Sequence, residues 1–174
     1  MTSLLFETKR LQFRLMTTSD VENLLRIFSD SKAMVHYPST KSKEETLTWI
    51  QWTLDNYRAY QVGMWIVEDK QTGAFLGQCG LVPQKIEGRI VLELGYLFLR
   101  SVWNHGYATE AATAVRNYAF HVLHVDEIIS LIAPANNPSI RVAEKIGMTC
   151  EKEIEKWNKK ILLYKLNRHE RKEK

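Results

Sequence analysis

The chain is sparing with the residues that punctuate, staple or anchor a fold: 174 residues include 2 cysteines, 4 prolines and 8 glycines. Cys79 and Cys150 lack the paired spacing of a metal or redox site, and a reducing compartment suits them. No run of about eighteen apolar residues occurs, which argues against a helical membrane span. The stretch from Met1 to Glu7 lacks the basic start and long apolar centre of a secretory signal, so a cytoplasmic protein is expected. No repeat, low-complexity tract or Pro/Gly/Ser linker is found. One domain over 1–174 is therefore predicted, with its core over about 8–167 and a flexible tail over 168–174. Also missing are a Gly-x-x-x-x-Gly-Lys-Ser/Thr loop and a Gly-x-Gly-x-x-Gly after the first strand, which sets the corresponding nucleotide enzymes aside.

What remains is an ordinary globular composition, 45% hydrophobic and 25% charged, with a net charge of +4. The surplus favours anionic ligands without choosing one. Part of it sits in the tail from Lys165, which reads as a solvated end; no interleaved aromatics or recognition helix suggest a nucleic-acid partner. His121 and His124 have no evident third ligand, so no metal is expected.

The hydrophobic period changes along the chain. Leu11 to Leu15 alternates as a strand, and Ser19-Asp20-Val21-Glu22 and Ser42-Lys43-Glu44-Glu45 read as capping boxes opening two helices. Met64 to Glu68, Ala74 to Leu81 and Ile90 to Leu99 read as strands, the last two parted by a turn from Gln84 to Arg89. In the third, Leu92, Leu94, Tyr96 and Phe98 share one face, and Glu93, Gly95, Leu97 and Leu99 the other. A helix follows over Ala108 to Val122, then a strand over Glu127 to Ala133. Asn137-Pro138 reads as the start of a further helix that Gly147 stops. Thr149 to Glu155 and Ile161 to Leu166 close the chain as a hairpin. The class is α+β, a mixed α/β order with a largely antiparallel sheet.

Between the third of these strands and its helix lies Trp103-Asn104-His105-Gly106-Tyr107-Ala108-Thr109-Glu110-Ala111. A glycine turn feeding a helix leaves main-chain N–H groups without partners at the positive end of the helix dipole. That arrangement suits a phosphate or pyrophosphate.

Taken with Asn136-x-x-Ser139 and Glu144-Lys145-Ile146-Gly147-Met148, this stretch closely resembles the GNAT superfamily of acetyl-CoA-dependent N-acetyltransferases. Glu7-Thr8-Lys9-Arg10-Leu11 and the stretch from Ser29-Asp30 to Tyr37-Pro38 narrow the resemblance to the branch of bacterial ribosomal-protein N-terminal acetyltransferases. The resemblance implies a twisted six- to seven-stranded sheet, about four helices and a pantetheine groove between splayed central strands. It further implies that Trp103, Asn104, His105, Gly106, Tyr107, Ala108 and Thr109 hold the pyrophosphate of acetyl-CoA. Phe98, Leu99 and Arg100 would pair with the pantetheine amides and Asn136 would bond to the same arm. Many members carry a thiol-protonating tyrosine where Ala143 stands, so here that role is vacant or filled elsewhere.

Transfer to an amine requires a proton acceptor. Glu93 is the base candidate, beside the implied groove, although strand alternation would equally allow a solvent-facing glutamate. The resemblance implies that Ser139 handles the thiol proton; the plain reading is a first-turn hydroxyl serving its helix. Asn136 and His105 have equally plain readings as turn residues. Tyr37, Trp49, Trp52, Tyr57, Tyr60 and Trp65 cluster in the N-terminal half; Tyr37, Trp49 and Trp52 are the candidates to enclose an acceptor amine, against a reading as core. The implied partners are acetyl-CoA and a primary amine, on a protein N-terminus or a small molecule. A homodimer is compatible, and nothing calls for a membrane. The alternative is a non-catalytic acyl-CoA sensor or scaffold.

Overall fold

The computed structural model describes residues 4–170. Among them, eight strands form one sheet in the order β1-β2-β3-β4-β5-β6-β8-β7. These are β1 (Leu4–Glu7), β2 (Leu11–Arg14), β3 (Met64–Asp69), β4 (Phe75–Ile86), β5 (Arg89–Phe98), β6 (Glu127–Ile132), β7 (Thr149–Lys156) and β8 (Lys159–Asn167). Every neighbouring pair is antiparallel except β5 and β6. The helices are α1 (Val21–Phe28), α2 (Lys43–Tyr60), α3 (Tyr107–His121) and α4 (Asn137–Lys145).

The sheet separates two apolar layers. On one face, Ala111, Ala112, Val115 and Ala119 of α3 and Ala143 of α4 are fully buried with Leu94 and Phe98 of β5. Alanines let a helix axis approach the strands closely, which is how an alanine-rich helix still buries a continuous seam. On the other face, Leu24, Ile27 and Phe28 of α1 and Ile50 of α2 pack with Met64, Ile66, Val82 and Leu99. Helices therefore pack over both faces of β5, and Glu93 is half-buried rather than on an open solvent face.

The elements follow from local chemistry, with some boundaries shifted. Ser42 caps α2 with the expected box to Glu45, and Gln61 ends that helix in the left-handed region at φ 59°. Near α1 the box belongs to Thr17 and Asp20, not to Ser19: Asp20 turns back to Thr17 because its carboxylate is also held by Arg14. α4 is capped by Asn136, one residue earlier than expected, and the left-handed Gly147 (φ 97°) follows its last turn. β4 continues through Pro83 to Ile86, so its hairpin with β5 turns on Glu87 and Gly88 alone, both at positive φ. β1 is the strand missed by alternation; it pairs only with β2 and has four residues. In the tail, Arg168 bonds through its main chain and guanidinium to Asp126, while residues 171–174 lie outside the described residues.

Arg14 ties β2 and β3 to the turn that opens α1. Its guanidinium binds Asp20 at 2.7 and 2.9 Å and Glu68 at 2.8 Å, with Arg14 8% and Asp20 2% exposed. No helix among the described residues is long and apolar enough to cross a membrane.

Candidate active site

The site begins where two strands part. β5 and β6 share a single register pair, Glu93 opposite Ile129, although β5 continues to Phe98 and β6 to Ile132. Two side chains stand in for the ladder at this fork. The Glu93 Oε2 accepts from the Leu131 N–H at 3.1 Å, and the Ser130 hydroxyl donates to the Leu94 carbonyl at 2.7 Å. Each satisfies a main-chain group that a continuing strand pair would have used.

A cavity of ≈ 460 Å³ opens at the fork. One wall is the stretch of β5 from Leu94 to Leu97; the opposite wall runs from Ser130 to Ala133 and on to Asn136 and Ser139 at the start of α4. Tyr37, Trp49 and Trp52 line its outer part, so the structure brings all three candidate acceptor residues into one chamber with Glu93, Asn136 and Ser139. Trp49 is fixed by an indole bond to Gln78 at 3.1 Å and by edge contact with Phe28; Trp52, 39% exposed, leans on it with ring centroids 5.1 Å apart. The other aromatics of that cluster diverge. Trp65 is buried core, Tyr60 is exposed, and the Tyr57 hydroxyl holds main chain at Met16 and Met64.

Burial pushes the Glu93 carboxyl up to about 7, against hydrogen bonds from Gln84 (3.0 Å) and the Leu131 N–H and the nearby Lys156 charge, all of which favour the anion. A carboxylate so poised takes up and releases a proton near neutrality. Asn136 Oδ1 accepts from the Ser139 N–H at 3.3 Å as the α4 cap, which leaves its amide NH₂ for other partners. Across the opening, the Tyr96 hydroxyl donates to the Ser139 carbonyl at 2.6 Å. In the sequence Tyr96 was legible only as sharing a strand face with Leu92, Leu94 and Phe98; it ties that strand to α4. Ala143 is buried and offers no hydroxyl.

By strand alternation, Leu94, Tyr96 and Phe98 turn their main-chain groups toward the opening, as the bond from Ser130 to the Leu94 carbonyl requires. The Phe98 carbonyl accepts from the Trp103 indole at 3.1 Å, and the Leu99 N–H is already given to Leu76 on β4. Arg100 points away to Asp30 at 2.6 Å. Of the three residues at this end of β5, Phe98 turns its N–H to the opening and Leu99 gives its N–H to β4, while only the side chain of Arg100 is held, by Asp30.

The anion turn lies past the end of β5. Asn104 and Gly106 both adopt left-handed geometry (φ 63° and 79°), which the asparagine tolerates and the glycine takes at no steric cost. α3 then begins without a side-chain cap, unlike α2 and α4. The N–H groups of Tyr107, Ala108 and Thr109 form its exposed-end donors. The His105 ring folds onto the turn, with Nδ1 2.8 Å from the Trp103 carbonyl.

Behind the turn is a cluster that motif reading quoted but did not connect. Glu110 accepts from the Thr8 hydroxyl (2.6 Å), the Arg10 N–H (2.9 Å) and Arg10 Nε (2.7 Å). Arg10 Nη1 donates to the His105 carbonyl at 2.9 Å, and its guanidinium lies 4.4 Å above the Tyr107 ring. Although burial opposes it, the bonds from Thr8 and Arg10 hold the Glu110 carboxyl below the usual range. A cation is thereby fixed beside the turn: a Cβ on Gly106 would come within 3.4 Å of Arg10 Nη2. Left-handed glycine, uncapped helix donors and adjacent guanidinium fit a diphosphate. Among the described residues, no group of three or more His, Cys, Asp or Glu is arranged to hold a metal ion.

The sequence and the fold are shared with known proteins. A family model described as an acetyltransferase (GNAT) domain matches residues 10–149. The uncharacterized protein YkkB of Bacillus subtilis (strain 168) is 47% identical over 158 residues, covering 90% of this chain and 92% of its own. From the same bacterium, the uncharacterized N-acetyltransferase YnaD is 32% identical over 146 residues, covering 83% and 82%. Among solved structures, a GNAT-family acetyltransferase from Bacillus anthracis superposes with a TM-score of 0.80 at 27% identity, over 96% of this chain and 99% of that one. A putative ribosomal-protein-serine acetyltransferase from Vibrio cholerae shares the fold with a TM-score of 0.80 at 23% identity, over 95% and 97%.

The chain belongs to the GNAT acetyltransferase family and is an N-acetyltransferase. Its fold is the expected one with one strand more, the N-terminal β1.

Proposed function

We propose that this protein transfers the acetyl group of acetyl-CoA directly to a primary amine within a ternary complex. The observation that carries the proposal is the fork at Glu93, where a cavity and a carboxyl raised to about 7 coincide. In this reading the turn from Trp103 to Thr109 grips the diphosphate through main-chain N–H groups, with Arg10 adding positive charge. The edge of β5 from Tyr96 to Phe98 receives the pantetheine amides as a strand would, and the Asn136 amide donates to the same arm from the α4 side. Acetyl-CoA, once bound, supplies an activated acyl carbon with a good leaving group.

The chain does the rest. Glu93, directly or through one water, accepts the proton of the incoming amine, so that the nitrogen attacks as a neutral nucleophile. The N–C bond forms, the C–S bond breaks with its electron pair on sulfur, and a proton returns to sulfur to give the CoA thiol. Main-chain donors along β5 stabilise charge on the carbonyl oxygen, an effect of about 3 kcal/mol per donor in such sites. Ser139, in the first turn of α4, and the positive end of that helix favour the departing thiolate in place of a side chain at position 143.

Direct attack is favoured over a covalent acyl-enzyme by the side chains present. Cys79 is buried in the core, where burial pushes its thiol well up, and neither cysteine lines the cavity. A carboxyl raised to about 7 in the cavity wall suits proton transfer, which favours catalysis over a sensor role. The test is thiol release from acetyl-CoA over a panel of amines: turnover lost in Glu93→Gln with binding of acetyl-CoA retained supports the reading, and full turnover in that variant removes Glu93 from it.

A further inference from the structure

The charge of the acceptor chamber selects among amines. Its walls carry one carboxylate, Glu93, against two ammonium groups, Lys41 and Lys159, with the imidazole of His36 beside them. Lys41 is half-buried, its ammonium 5.8 Å from the Phe28 ring centroid and 5.9 Å from that of Trp49. Among the described residues it makes no ion pair. The Glu45 carboxylate, in the first turn of α2, feels its charge but does not bond it, and this ammonium against aromatic faces lies in the wall of the chamber.

The other side of the mouth carries a second, exposed lysine. Lys159 opens β8 directly after the two-residue turn Trp157–Asn158, whose residues are both left-handed (φ 55° and 57°). That tight turn presents Trp157, 57% exposed, along the same chamber that Trp49 and Trp52 line. A polyamine placed here would set its first nitrogen at Glu93 and drive the next ammonium against Lys41 or Lys159, with no second carboxylate to receive it. An acceptor bearing a negative group finds both lysines waiting, and its apolar body meets indole faces. The thioester end of acetyl-CoA shares the ≈ 460 Å³, which leaves room for a small molecule.

We infer that the acceptor is a small primary monoamine that also carries an anionic group, such as a carboxylate, on an apolar planar body. Its nitrogen faces Glu93, its plane rests on Trp49 and Trp52, and its anion pairs with Lys41, with Lys159 drawing it in. This rests on the acetyltransferase mechanism above and narrows it to a substrate class. Repulsion of polycations by the same lysines gives specificity by exclusion as well as by attraction.

Initial rates of CoA thiol release, at saturating acetyl-CoA and normalised to the neutral-amine fraction, are compared for phenylalanine, phenylalaninamide and spermidine. The expected result is a kcat/KM for phenylalanine about tenfold or more above the other two, the scale of one ion pair in a half-buried setting. Lys41→Met, and separately Lys159→Met on the exposed hairpin, should bring the acid-to-amide ratio toward one through KM rather than kcat. Spermidine or the amide matching the free acid, or a ratio unmoved in both variants, overturns the inference while leaving the acetyltransferase reading intact. Absence of both acetyl-CoA binding and thiol release with every amine overturns that reading itself.

Discussion

The carboxylate of Glu93 accepts the main-chain N–H of Leu131 at 3.1 Å, across the gap where β5 and β6 cease to pair. One side chain therefore both terminates the ladder and stands at the floor of the cavity it opens. Glutamine at this position keeps an acceptor for Leu131 and loses the basicity. Turnover of Glu93→Gln is expected to fall about 10²- to 10⁴-fold, the usual worth of a positioned base, with the calorimetric affinity for acetyl-CoA unchanged. Loss of affinity instead would make Glu93 a purely architectural residue.

The raised carboxyl also sets a pH dependence. With a pKa near 7 against an ordinary 4.5, Glu93 works as a base only above neutrality, so kcat/KM should rise through about 7 before the amine's own ionisation adds to it. Stability moves the other way. The folded state holds this proton more tightly than the unfolded chain, so the contribution is complete below 4.5 and is lost as pH rises through about 7. Glu93→Gln should flatten both trends; urea melts and rate profiles that still move with pH in the variant would assign them to other groups.

Arg10 joins the turn to Glu110 and places a cation beside Gly106. Arg10→Ala is expected to weaken acetyl-CoA binding about tenfold, in line with losing a charge-assisted contact, and to make the remaining affinity less sensitive to salt. Desulfo-CoA should show the same loss, since the contact concerns the diphosphate. An unaltered salt dependence would place the anion elsewhere.

Much of this was legible from local patterns. The Ser42 box, the stop at Gly147 and the turn before α3 follow from spacing alone, because each is decided within a few residues. What could not be read depends on contacts distant along the chain. Strand alternation put Glu93 on a face but could not say that helices cover both faces, nor that its carboxylate meets Leu131 on β6. Thr8, Arg10 and Glu110 lie in two quoted motifs, yet their junction spans about 100 residues. Tyr96 could be placed on a strand face and no further, because its hydroxyl partner, the Ser139 carbonyl, belongs to a later helix. β1 escaped because four residues at an edge carry little periodicity.

The Arg14 cluster makes a prediction about folding rather than catalysis. Removing the guanidinium by Arg14→Ala strands Asp20, which is 2% exposed, without its countercharge. Chemical denaturation should show a loss of about 3–5 kcal/mol, the cost of breaking a buried pair from one side. A loss no larger than that of an exposed pair, such as Arg58 with Asp55, would mean that water reaches Asp20.

The most direct test is calorimetric titration of acetyl-CoA into the protein and into Gly106→Trp. A side chain at that left-handed position obstructs the donors of α3 and crowds Arg10, far from the core. Saturable heat at a single site in the native chain, abolished in a folded Gly106→Trp, is the result expected. No heat in the native chain, or equal heat in the variant, would contradict the turn as the seat of the cofactor.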